Sequence, residues 1–256
     1  MMATTRVHVP LATRASMLLR SFAIQGSWNY EILIGNGLGF CIEPALRLLP
    51  DGKGGSAYRE ALARQCRYFN AHPYLACAAI GALARAELDG EPPARIDRFR
   101  TALCGPLGSV GDRLIWAGWL PFSSILAIVA FGLGASTVVV VGLFLLVFNV
   151  GHIGVRAWAL QRGLDEGLRV ATALAHPVLR RGPEVIARSA ALLAGIGLPL
   201  ALHRLIGPGT LLLGGSLAFV IVGAFVIARA RGRAEGWRVA LGVLVAFVLY
   251  SVISDA

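Results

Sequence analysis

The chain has 256 residues, 56% of them hydrophobic and 15% charged, with a net charge of +10. Soluble domains average about 45–50% apolar and about 25% charged residues, so this chain has too few charges to clothe a water-facing surface, and lipid is the solvent that fits. Nucleic-acid binding is excluded as well: it calls for a basic stripe with interleaved aromatics, whereas here Lys53 is the sole lysine and the arginines are scattered between apolar blocks.

From the N-terminus, Arg14 and Arg20 interrupt the apolar run before it reaches signal-peptide length. The segment Gln25-Gly-Ser-Trp-Asn-Tyr-Glu31 is expected to continue a helix. At 100° per residue, Gln25, Asn29 and Asn36 would then fall within about 40° of one another. Such an amide stripe both donates and accepts hydrogen bonds, as sugar hydroxyls do, and Trp28 could stack on a sugar ring. The same amides would serve equally as glue between membrane helices. Glu31 joins the stripe only where the backbone breaks, which Gly35, Gly37 and Gly39 permit; Gly35 and Gly39 also form a small-xxx-small pair for close packing.

Three apolar pieces, 32–42, 74–84 and 101–111, are too short to span and are expected to be buried or re-entrant. Re-entrant backbone survives in a bilayer only beside protein or a polar cavity, and transporters place substrate at such broken segments. Between them, Tyr68-Phe-Asn-Ala-His-Pro-Tyr74 reads as a helix end, with Pro73 forcing His72 towards extended geometry. Asn70 and His72 would be presented there on non-helical backbone. In Gly105-Pro-Leu-Gly-Ser-Val-Gly-Asp112 the glycines allow close backbone approach. Asp112 is placed either to cap a helix starting near Leu114 or to face the pathway from a re-entrant tip.

A helix needs about 20 apolar residues to cross a hydrocarbon core of about 30 Å. The stretches 114–133, 137–155, 189–206, 210–228 and 238–254 meet or approach that, the third carrying Pro199 and His203. At the end of the second, Asn149, His152 and the adjoining Arg156 recur at helical spacing, and Arg156 is expected to snorkel to water. Connectors 156–188 and 229–237 are rich in arginine, whereas 134–136 and 207–209 have none. Cytoplasmic loops hold the Lys/Arg excess, so the N-terminus is expected in the cytoplasm and the C-terminus outside.

The predicted fold is therefore an all-α integral membrane protein. Its N-terminal half holds amphipathic, short and re-entrant helices, and its C-terminal half about five transmembrane helices. Residues 1–113 form a cytoplasm-facing, substrate-handling region, and 114–256 the transmembrane region. Cys41, Cys66, Cys77 and Cys104 form no CxxC pair, and the histidines show no HxxxH or HExxH spacing, so neither a metal nor another cofactor is expected. His176-Pro177 reads as a turn. A lipid-acting enzyme would want a metal cluster or a nucleophile with its base, and neither is legible.

Taken together, RSFAIQGSWNYE (20–31), LGFCIEPALRLL (38–49), YFNAHPY (68–74), GPLGSVGD (105–112) and Phe148-Asn149 resemble the IID subunits of the mannose/fructose/sorbose phosphotransferase family. The likeness covers roughly residues 17–170. It implies a non-catalytic translocation subunit in the bacterial cytoplasmic membrane, paired with a IIC subunit in a larger oligomer. Such pairs take up a hexose, to which soluble IIA and IIB subunits deliver phosphate. On that reading Gln25, Trp28, Asn29, Glu31, Asn70, His72 and Asp112 are the candidate substrate residues. Where the family tends to read W-G-T-x-R-P, this chain has Trp116-Ala-Gly-Trp-Leu-Pro121, with Leu120 in place of the arginine. The departure motivates an alternative: a diverged paralogue that regulates or scaffolds such a complex without moving sugar.

Overall fold

The computed structural model describes residues 7–206, and all but short connections among them are helical. Helix α1 (Leu11–Ser21) leads through a run of turns to α2 (Gly35–Leu46), then α3 (Ser56–Gln65) and α4 (Ala76–Leu88). Helix α5 (Pro93–Gly111) passes without a break into a π-helical segment, Asp112–Trp119, and on into α6 (Leu120–Gly132). Helix α7 (Thr137–Glu166), a 3₁₀ segment (Gly167–Ala175) and α8 (Pro177–Ile206) complete the described chain. Prolines open α5 and α8, where a missing N–H costs nothing. No strand forms among the described residues, which is the all-α fold the sequence predicts.

Among the described residues three rods are long and apolar enough to cross a bilayer: Pro93–Gly132 with 40 residues, Thr137–Thr172 with 36 and Leu179–Leu205 with 27. They contain the predicted span 137–155 and all but the last residue of 114–133 and 189–206. The stretches 210–228 and 238–254, and connector 229–237, lie outside the described residues. The lipid-facing character of α7 is plain from Val138, Leu146 and Val150, which are 82%, 64% and 64% exposed. Aliphatic exposure of that density suits hydrocarbon or the apolar face of another membrane helix.

The core is α4, buried along its whole length. It can be so central because its packing face is glycine and alanine. A Cβ on Gly81 would overlap the Leu160 carbonyl oxygen, and one on Gly163 would overlap that of Ala78. The backbones of α4 and α7 therefore cross in near contact, as small residues allow between membrane helices. Of the short apolar pieces, 32–42 and 74–84 fall largely in the buried helices α2 and α4.

The third short piece is different. Residues 101–111 are not a separate dip but the last turns of α5, continuous with the span. The glycines and Pro106 do not end the helix, which runs through them and widens into π turns from Asp112 onward. Pro121 cannot donate to the carbonyl four residues back and its ring crowds that carbonyl. The π segment just before it, ending at Trp119, is the looser winding that accommodates such an interruption. Asp112 thus sits mid-rod with helical φ −61° and ψ −44°, so the expected cap on a helix starting near Leu114 is corrected.

The arginine-rich stretch 156–188 is also not an open connector. Helix α7 runs to Glu166 and α8 begins at Pro177, so most of the stretch is helix. His176 occupies the turn between the 3₁₀ segment and α8, as read from the sequence. At the far end, Arg204 donates to the Phe131 and Ala135 carbonyls and lies 4.4 Å from the centre of the Phe131 ring. It adds a cationic donor to carbonyls at the C-terminal end of α6, where a cation is favoured.

Candidate functional site

The segment linking α3 to α4, residues 66–75, is non-helical but tightly held. Arg100 of α5, 5% exposed, donates to the carbonyls of Gln65 at 3.0 Å, Arg67 at 2.5 Å and Tyr68 at 2.8 Å. Its guanidinium also lies 5.3 Å from the centre of the Phe69 ring. Phe69 is fully buried, and its backbone pairs with the α1–α2 connection: its N–H donates to Ile32 and its carbonyl accepts from Ile34, at 3.2 and 3.1 Å. Gly35 makes this approach possible, since a Cβ there would strike the Arg67 carbonyl.

Beyond Phe69 the chain presents Asn70 to the exterior and turns His72 inward, 2% exposed. His72 Nδ1 accepts the Tyr74 N–H at 3.2 Å, which leaves the proton of the neutral ring on Nε2. That nitrogen is buried without a hydrogen-bond partner. Burial, reinforced by the charge of Arg156, pulls the His72 pKa down to about 4, so the ring is neutral at physiological pH. Gly111 of α5 faces it, and a Cβ there would collide with the imidazole.

These features surround an open cavity of about 420 Å³ whose wall includes Asn70, His72, Gly105, Gly108, Ser109 and Asp112. A Cβ on Gly105 or Gly108 would meet nothing within 4 Å; the missing side chains keep the wall open. An amide, a buried neutral imidazole and a carboxylate converge there. That set both donates to and accepts from hydroxyls.

Gln25, Trp28, Asn29 and Glu31 are not among the residues lining the cavity, and the helical stripe expected of them does not form. Helix α1 stops at Ser21, and residues 22–34 are a succession of turns. Asn29 keeps the latter part of this segment out of helix. Its Oδ1 accepts the N–H groups of Glu31 and Ile32, each at 3.0 Å, giving the backbone an alternative to helix. Leu33, with φ 52°, closes the turn. Gln25 and Glu31 are exposed, and Trp28 packs edge-on to Tyr30 at 4.8 Å. Gly35, Gly37 and Gly39 do serve close packing, but against Arg67, Ile24 and Cys66 of the connecting segments rather than another helix.

Arg156 does not snorkel. It is 4% exposed and donates to the Ser21 carbonyl at 2.5 Å. His152 Nε2 lies 2.9 Å from Asn149 Oδ1, and its ring stacks on Tyr74 at 4.9 Å. Sequence reasoning also passed over Glu43, which binds three elements together. It accepts from Arg20 of α1 at 2.8 Å, from Arg47 at 2.7 and 2.9 Å, and from Tyr58 of α3 at 2.8 Å. Burial alone would raise this carboxyl, but hydrogen bonds from Arg47, Tyr58 and Arg20 outweigh it and hold the pKa down to about 2. The Arg20 and Glu43 spacing carried no local signal of the pairing; the Glu43–Arg47 i,i+4 relation did.

The family model for the mannose/fructose/sorbose family IID component of the phosphotransferase system matches residues 9–187. The mannose-specific EIID component of Escherichia coli (strain K12) is 28% identical over 174 residues, 65% of this chain and 60% of that protein. The sorbose-specific EIID component of Klebsiella pneumoniae is 30% identical over 178 residues, 65% of this chain and 61% of its own length. The fructose permease IID component of Bacillus subtilis (strain 168) is 28% identical over 170 residues, 62% of this chain and 58% of its own. The matches thus span about 60% of these relatives' lengths. Among solved structures, a chain from a cryo-electron microscopy complex of the mannose transporter ManYZ with microcin E492 aligns over 96% of this chain and 97% of its own, with TM-score 0.57 and 20% identity. A chain described only as a membrane protein aligns over 96% and 98%, with TM-score 0.68 and 20% identity. At that identity the structural agreement is one of fold.

Proposed function

The chain belongs to the IID components of the mannose/fructose/sorbose phosphotransferase systems, and on that premise we propose that it moves a hexose of the mannose, fructose or sorbose class through the membrane together with a IIC subunit. IIA and IIB phosphocarriers supply the phosphate, and this subunit is not itself the catalyst. Residues 1–113 handle the sugar and the rest anchors them in a bacterial cytoplasmic membrane, within a larger oligomer of IIC–IID pairs. The arginine excess at 156–188 suits a cytoplasmic face, where it would attract an anionic phosphorylated partner. On this reading the N-terminus lies inside and the C-terminus outside.

One observation carries the reading: Asn70, His72 and Asp112, distant in sequence, line a single open cavity. A hexose offers hydroxyls that need both donors and acceptors, and a neutral His72 suits an uncharged sugar better than a phosphorylated one. Gln25, Trp28, Asn29 and Glu31 remain in the proposal as a second wall on the adjoining 22–34 segment, which is hydrogen-bonded to Phe69 beside Asn70.

The test is hexose uptake by cells carrying the full transporter with Asn70→Ala or Asp112→Ala in this subunit. Uptake is expected to vanish while membrane abundance and co-purification with the IIC subunit persist. Wild-type uptake in both variants would remove these residues from the site. Intact assembly with no uptake even by the wild-type chain would favour the non-transporting paralogue that Leu120 suggests.

A further inference from the structure

The inward face of α7 carries chemistry that does not line the cavity. Asn149, His152 and Arg156 lie at i, i+3 and i+7, one stripe of a helix that is otherwise mainly apolar. Arg156 lies within a candidate span and is buried, and its partners are a carbonyl, a hydroxyl, the Cys77 thiol and two ring faces rather than a carboxylate. Besides the Ser21 carbonyl it reaches Ser21 Oγ at 3.1 Å. Its guanidinium carbon stands 4.9 Å from the centre of Phe22 and 4.4 Å from that of Tyr74. An intramembrane cation is costly and marks a functional position. Snorkelling does not account for this one.

Tyr74 is where the stripe meets the site. Its ring is stacked on His152 at 4.9 Å, edge-on to His72 at 4.9 Å and 5.7 Å from Trp116. The backbone N–H of Tyr74 binds His72 Nδ1, so Tyr74 holds His72 both through its ring and through its amide. His72 in turn faces the cavity. We infer that Arg156 is a positioning residue: through Tyr74 it fixes the His72 imidazole in the cavity wall, and through Ser21 it ties that wall to the segment leaving α1. Arginine suits this role because its flat fork stacks on both ring faces while its edge donates to a carbonyl, which a lysine ammonium cannot do. The inference rests on the reading of the cavity as a hexose site, and its test separates the two.

The first arm needs no sugar. The full-length chain, purified with its IIC subunit, is labelled with fluorotryptophan, and the Trp116 resonance is assigned from Trp116→Phe. Trp116 lies 5.1 Å from the His72 ring and reports its placement. Arg156→Met is expected to move the Trp116 resonance, and Arg156→Lys, which keeps the charge and a donor to Ser21, to move it less while guarding against simple misfolding. An unmoved resonance in folded Arg156→Met overturns the inference, whatever uptake does. The second arm is hexose uptake by Arg156→Met, Tyr74→Leu and the double variant. KM is expected to rise about tenfold, equivalent to roughly 1.4 kcal/mol, with the maximal rate little changed. The double variant should be no worse than the worse single, because both break one link. Additive losses, or a fall in maximal rate at constant KM, would overturn it. A moved resonance without any uptake in the wild type leaves the linkage standing and removes the hexose reading.

Discussion

Arg100→Met should loosen the segment that carries Asn70 and His72 while leaving the membrane helices assembled. Arg100 is 5% exposed and its guanidinium bridges three carbonyls, those of Gln65, Arg67 and Tyr68. A hydrogen bond from a charged donor contributes about 1.5–3 kcal/mol, and a buried acceptor left alone keeps its desolvation cost of about 1–3 kcal/mol. Methionine recovers part of the apolar packing of the arginine stem and removes the cost of burying the charge. A net loss of about 3–5 kcal/mol follows from the lost charge-assisted bonds and the orphaned carbonyls, or a fall of roughly 10 °C in Tm for a domain of this size. Thermal unfolding in detergent measures the fall. Thiol labelling locates it, since half-buried Cys66 sits in the same segment, with its reactivity held down by burial that raises its pKa. Labelling of Cys66 should accelerate well before global unfolding, and hexose uptake should fail. Wild-type melting together with wild-type Cys66 labelling would refute the account of Arg100 as the clamp on this segment.

Two contrasts extend the argument. Gly111→Ala should displace His72 and depress uptake, because a Cβ there collides with the imidazole, whereas Gly105→Ala projects into open space and should leave the fold intact; overpacking costs about 1–3 kcal/mol, which parallel melting curves will resolve. Glu43 sets an acid limit on stability. Its folded pKa of about 2 lies below the ordinary carboxyl value of 4.5, so its contribution is complete above about 4.5 and fades as the pH falls towards 2. Glu43→Gln should lower stability at neutral pH and flatten the acid limb of the stability-versus-pH curve; an unchanged acid limb would count against the Arg20–Glu43–Arg47–Tyr58 network as its source.

Much was legible before any coordinates. Apolar runs of spanning length and a shortage of charge can be satisfied only in lipid, so the all-α membrane fold and the spans at 114–133, 137–155 and 189–206 followed from the sequence. Pro73 likewise marked 68–74 as non-helical, because proline forbids the bond a helix needs. Local chemistry misled where two local options compete. Asn29 could have lain on a helix face, yet its side chain bonds the N–H groups of Glu31 and Ile32 and makes a turn. Asp112 looked like a cap, yet π turns carry the helix through it.

What no local pattern encodes is which distant groups meet. Periodicity placed Arg156 one turn beyond His152, but only the crossing of α4 and α7 at Gly81 and Gly163 turns that stripe inward onto Tyr74 and Ser21. Asn70 and Asp112 come to one cavity because Arg100 clamps one segment against the rod that bears the other. Sequence spacing governs contacts within a turn or two of the chain. Contacts between residues tens of positions apart depend on how closely backbones approach, and that is decided by the whole packing.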